Sequence, residues 1–154
     1  MATILTSFSR EALSAFCAAG RATDWDATPE TNTALYEREF GWTHVARRRW
    51  MTPEDMTVSV ISAGRFLYSL RARHTAWSPD TDWDDPEVAA RRAELIPVIT
   101  EIVGVEGRPR RDKDDMVQDR WLLDGGRTSL WLREDSLEYV GPENTQADSK
   151  LIGE

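Results

Sequence analysis

The chain has 154 residues, 40% hydrophobic and 30% charged, a composition typical of folded globular domains rather than of disordered segments or membrane proteins. Its 19 basic and 27 acidic residues leave a formal net charge of -8, which repels phosphate backbones and draws in basic partners, so no nucleic-acid partner is expected. No apolar run approaches the roughly 20 residues that cross a bilayer, no secretory leader is expected from the first residues, and the single cysteine, Cys17, excludes an internal disulfide. One α+β domain over residues 1–145 in a reducing cytoplasm is expected, followed by a flexible tail over 146–154.

Taken in chain order, the sequence opens with helices. Ser9 can cap a helix that runs to about Ala19, with Leu13, Phe16 and Cys17 on one face and Gly20 as its stop. Thr28-Pro29-Glu30 opens a second helix, lined by Leu35, Tyr36 and Phe40 and ended by Gly41. The next segment reads as three antiparallel strands. Trp42 to Met51 is extended, Met56, Val58 and Val60 alternate with polar residues, and Phe66 to Arg73 alternates after a short turn at 62–65. A turn-forming acidic loop, 77–85, leads into a helix begun by Asp85-Pro86. Val88, Leu95, Ile96, Ile99, Ile102 and Val103 recur at helical spacing, and Pro97 predicts a kink or split near Leu95.

After the helix, Arg108 to Asp115 reads as a charged connection. Val117 to Leu123 and Thr128 to Arg133 flank Asp124-Gly125-Gly126-Arg127, a strong hairpin turn, and Leu137 to Val140 forms a last strand before Gly141-Pro142 ends the ordered part. The predicted order is αα-βββ-α-βββ, an antiparallel curved sheet covered on one face by the long helix and the N-terminal helices. Over residues 43–140 this order resembles the type III secretion chaperone-like plan of a curved sheet with one packed helix.

A second resemblance rests on Phe40-Gly41-Trp42, Val103-Gly104, Pro109 and Arg120-Trp121-Leu122. With these pieces the chain resembles an uncharacterised family of small proteins from high-GC bacteria, encoded beside secreted or polymorphic toxins and including immunity proteins. The resemblance implies a cytoplasmic bacterial protein that silences a toxin enzyme, and it implies no catalytic residue.

Charge is segregated along the chain. Residues 43–76 carry net +4 and 108–133 net +2, whereas 77–107 carry -6 and 134–154 carry -5. All the cations but Lys113 and Lys150 are arginines, whose forks pair with carboxylates and stack on aromatic rings better than lysine does.

The residues able to carry chemistry are few. Cys17 lies among Phe16, Ala18 and Ala19, a core setting rather than the electropositive one a nucleophile needs. His44 and His74 stand singly, without metal-ligand spacing. Asp80, Asp82 and Asp84 match the first ligands of a calcium loop, but Asp85 and Arg91 replace its glycine and glutamate. Arg47-Arg48-Arg49, read as a strand, alternates between faces and makes no one-sided basic cluster. No catalytic residue, metal or cofactor is therefore expected.

Thr23-Asp24-Trp25-Asp26 and Thr81-Asp82-Trp83-Asp84 are identical, and each is followed within a few residues by a Pro-Glu that opens a helix. One reading is helix-entry chemistry, with a tryptophan pinning the loop. The other is an exposed aromatic rimmed by carboxylates, a form suited to partner binding. The expected partner-binding residues are Trp77, Asp80, Asp82, Trp83 and Asp84, with Asp85 as a cap. The leading function is an immunity-type protein that neutralises a cognate toxin through these acidic and aromatic residues. A chaperone or adaptor would instead use an apolar sheet face or groove, and a small enzyme would need Cys17 and a histidine in one cleft.

Overall fold

The structure is a computed structural model that describes residues 3–4, 8–63, 66–76, 86–111 and 117–151. Its first helix, α1 (Arg10–Ala22), starts where the Ser9 hydroxyl accepts a hydrogen bond from the Ala12 amide at 3.1 Å. It runs past Gly20, which is buried inside the helix rather than ending it. A Cβ at Gly20 would overlap the ring of Tyr139, so this glycine serves close packing. The second helix, α2 (Pro29–Phe40), has Thr28 as its cap, Pro29 at its start and Gly41 in the left-handed conformation at its end, φ 69°.

Four strands follow where three are predicted: β2 (Thr43–Ala46), β3 (Arg49–Met51), β4 (Thr57–Ala63) and β5 (Phe66–Arg73). The Trp42–Met51 segment folds back on itself at Arg47-Arg48, with Arg48 at φ 58°. A tight turn with arginine in the left-handed position carries none of the glycine or asparagine signals from which turns are read. A two-residue strand, β6 (Thr75–Ala76), pairs with β1 (Thr3–Ile4) apart from the main sheet. Helix α3 (Pro86–Val103) is unbroken, and Pro97, on its exposed side, does not split it.

The second half also supplies four strands: β7 (Arg108–Arg111), β8 (Val117–Leu123), β9 (Thr128–Leu132) and β10 (Ser136–Val140). Strand β7 replaces the expected charged connection. It is the sheet edge, where proline and charged side chains are tolerated because one side makes no ladder. The expected Asp124–Arg127 turn joins β8 to β9. Beyond Gly141 the chain forms α4 (Pro142–Leu151), so the predicted tail from 146 is helical as far as Leu151. Thr145 anchors it, buried with its hydroxyl 2.8 Å from Ser129 Oγ.

The eight strands form one open, curved antiparallel sheet in the order β2-β3-β4-β5-β10-β9-β8-β7. Each half is a helix followed by a four-stranded meander, and the two meanders meet through their last strands, β5 and β10. The repeated Thr-Asp-Trp-Asp motif precedes the leading helix of each half. One face carries the rows Val58-Ala72-Leu137-Leu132 and Val60-Leu70-Tyr139-Leu130-Trp121, all buried, against which Leu13 and Phe16 of α1 and Leu95 and Ile99 of α3 pack. Polar links fix α3 on β8: Arg92 pairs with Asp119 at 2.8 Å, and Trp121 Nε1 donates to Thr100 Oγ1 at 3.1 Å.

Replacing Gly20 by alanine tests the α1 packing. Helix propensity favours alanine by about 1 kcal/mol, but overpacking costs about 1–3 kcal/mol, and the Tyr139 ring is backed by Trp25, stacked at 6.1 Å. Gly20→Ala is expected to lower the urea midpoint, and an unchanged or raised midpoint refutes the contact.

Candidate functional site

The acidic segment holding Trp77, Asp80, Asp82, Trp83, Asp84 and Asp85 lies outside the described residues; the described chain stops at Ala76 and resumes at Pro86 of α3. The first copy of the motif is described, and it is a loop anchor. Trp25 is 8% exposed, stacks on Tyr139 and packs against Gly141. Asp24 accepts from the Asp26 amide at 3.1 Å, while its backbone is held by the Asn32 side chain through two 2.9 Å bonds.

The three residues singled out for chemistry occupy three different settings. Cys17 is buried, and burial pushes its thiol up to about 12, so it is protonated at any physiological pH. Its neighbours enclose a cavity of about 380 Å³ between α1, the Trp25 loop and the β8–β9 turn, with Trp25, Tyr139, Thr128, Arg21 and Arg127 among the walls. Neither histidine lines it. His74 is fully buried, with Nε2 donating to the Arg133 carbonyl at 3.0 Å and the Phe8 ring against it edge-on. Burial holds its pKa below the ordinary histidine value, assisted by the charges of Arg91 and Arg92 and opposed by the Arg133 carbonyl and Asp135. His44 lies exposed on β2, its ring 4.7 Å from that of Trp50. Among the described residues no three histidine, cysteine or acidic side chains are grouped to hold a metal ion.

The sheet face turned away from α1 and α3 carries charge. A single cross-strand row runs through Arg49, Ser59, Arg71 and Glu138 and continues through Trp131, Arg120 and Arg108. It spans seven strands, about 29 Å at the usual strand spacing of about 4.8 Å. Glu138 at its middle is buried and accepts from Ser69 Oγ at 2.8 Å and from Arg71 at 3.0 Å; Arg133 adds an ion pair at 3.2 Å. Arg120 and Arg133 lie over the Trp131 ring, 5.6 and 5.1 Å from its centre. Helix α4 covers the part of this face at Ser129 and Val140, and Arg120 donates to the Thr145 carbonyl.

Among what α4 leaves open is a groove of about 460 Å³ lined by Thr57, Ser59 and Ile61 of β4, Arg49 of β3, Arg71 and Arg73 of β5, and Asp55. Arg73 is 58% exposed and reaches Asp135 only at 3.9 Å. The triple-arginine run therefore acts differently from its sequence reading: Arg47 and Arg48 make the turn, and Arg49 alone joins the face. Alternation in Phe66–Arg73 already sets Arg71 and Arg73 opposite Leu70 and Ala72. Which strand lies beside them was not readable, because pairing register is a long-range property.

No protein-family model, no curated protein and no solved structure matches the chain. Among the described residues no helix is long and apolar enough to cross a membrane.

Two substitutions test the buried groups. Cys17→Ser is expected to cost about 1 kcal/mol of stability and nothing in binding; a folded variant that loses binding refutes a core role. Burial holds the folded His74 pKa below the ordinary value of about 6.5, so as pH falls through that value the unfolded chain binds more proton than the folded one and stability falls. Urea midpoints compared at about pH 7.5 and about pH 5 should fall less for His74→Gln than for the parent.

Proposed function

We propose that the chain is an immunity-type binding protein that captures a cognate toxin enzyme in the bacterial cytoplasm and blocks it. The observation that carries this reading is the character of the open sheet face. It is built of arginines, hydroxyls and one buried carboxylate, on a rigid eight-stranded scaffold whose apolar face is already filled by helices. A preformed charged surface suits a specific folded partner, because complementary charge speeds encounter and fixes register. A chaperone or adaptor for unfolded substrates calls for an accessible apolar face, whereas the large apolar side chains exposed among the described residues are Val45, Val105 and Leu122. The enzyme reading calls for a base beside Cys17, and the Cys17 cavity has no histidine in its wall.

In this proposal the net charge of -8 draws in a toxin with a basic surface. Trp77, Asp80, Asp82, Trp83 and Asp84 contribute contacts, with Trp83 as the aromatic anchor and the aspartates as a rim. The test is co-expression with the toxin encoded by the adjacent gene, followed by titration of the purified pair. A stable complex with suppressed toxin activity is expected. Trp83→Ala should weaken it by about 2 kcal/mol or more, and Asp82→Asn with Asp84→Asn should slow association at low salt and matter little at high salt. A complex in which the toxin stays fully active, or no complex, overturns the proposal.

A further inference from the structure

We infer that the open groove beside β4 and β5 docks a carboxylate-bearing extended segment of a protein partner, gripped by Arg49, Arg71 and Arg73. The inference rests on the binding role proposed above and names the chemistry that one of its surfaces recognises.

The geometry comes from pairing register. Ser59 stands opposite Arg49 on one side and Arg71 on the other, so those two arginines are two strands apart, about 9.6 Å. Arg71 and Arg73 are alternate residues of β5, about 6.8 Å apart along the strand. That second spacing is also the distance between alternate side chains of an extended peptide, so carboxylates at every other position meet successive guanidinium groups. Thr57 and Ser59 line the groove with hydroxyl donors, and Ile61 supplies an apolar contact.

The resident carboxylates leave positive charge over. Glu138 is shared by Arg71 and Arg133, and its oxygens are already held by Ser69 and those arginines. Asp135 is only loosely engaged by Arg73. Among the described residues Arg49 has no ion pair, and Asp55 is the remaining anion in the groove wall.

A carboxylate cluster on a protein fits this better than a nucleic acid does. The guanidinium forks bind either anion bidentately. But a nucleic acid carries one charge per few ångströms along its whole length, and the chain as a whole, at a formal net charge of -8, repels such a polyanion. A basic partner with a local acidic strand satisfies both terms: the whole surface attracts it, and the groove orients it.

The test needs no toxin. A fluorescein-labelled seven-residue peptide alternating glutamate and threonine is titrated with the full chain by anisotropy, beside the same peptide with glutamine for glutamate and a short single-stranded oligodeoxynucleotide. Saturable binding of the glutamate peptide at low salt is expected, weakened by salt and absent for the glutamine peptide. Arg49→Glu with Arg73→Glu should weaken it at least about tenfold; Arg49→Lys with Arg73→Lys should weaken it less, and Arg38→Glu on α2 should leave it unchanged. Circular dichroism and melting confirm that each variant is folded. Absence of saturable binding, indifference to the double reversal, or equal loss with Arg38→Glu overturns the inference. Tighter binding of the oligonucleotide, lost in the same variants, overturns it in favour of a nucleic-acid ligand. Because the probe is synthetic, failure here leaves toxin capture standing, and failure of toxin capture leaves the peptide result standing.

Discussion

Everything in this fold depends on the pairing of β5 with β10. Among the described residues the two four-stranded meanders pair nowhere else, and at its centre this pairing joins positions 67 residues apart. At its centre Glu138 faces Arg71, with Ser69 and Arg133 completing the shell of the buried carboxylate. Breaking such a group by removing its partners costs far more than the pair contributes over apolar residues of the same shape, because an uncompensated charge would remain buried. The arrangement therefore acts on register. A slip of one residue in β10 would turn Glu138 into the apolar layer and expose Leu137 and Tyr139, and a slip in β5 would do the same to Arg71 and to Leu70 and Ala72.

That register also divides the molecule's labour. The face turned to the helices is mostly apolar, and polar groups on it such as Asp119, under Arg92, and the Trp121 indole N–H, under Thr100, are tied down. The row through Arg49, Ser59, Arg71, Glu138, Trp131, Arg120 and Arg108 points the other way and is polar or charged apart from Trp131. The pleat alone thus generates one face that stabilises the fold and one face that is free to recognise something, from strands that are short and unremarkable individually. The α4 helix covers the middle of the second face by seating Thr145 on Ser129, leaving the groove beside β4 and β5 open on one side.

The two halves repeat one order: motif, helix, meander. In the first half the motif's tryptophan is a wall of the core, stacked on Tyr139, and the aspartate before it holds the entry of α2. Both leading helices end on glycines in the left-handed conformation, Gly41 and Gly104, at φ 69° and 74°. In the first half, then, the tetrapeptide is part of how α2 begins.

Much of this was legible in the residues themselves. Caps at Ser9 and Thr28, the helical stripe from Val88 to Val103, and the alternation in β4, β5, β8 and β9 are local consequences of period and propensity, and they sufficed for the α+β class and an antiparallel sheet under helices. Where the sequence reading failed, a local signal was missing or had a second meaning. Arg48 turns a hairpin without a turn residue, the charged stretch at 108–111 is an edge strand, and Gly20 yields to Tyr139 rather than ending a helix. The arginine face is of a third kind. By itself the sequence determined that Arg71 and Arg73 lie opposite Leu70 and Ala72, because side chains alternate along a strand. Only the tertiary structure decided that Arg49, Glu138 and Trp131 stand beside them, because strand neighbours are chosen by the burial of a whole sheet face at once.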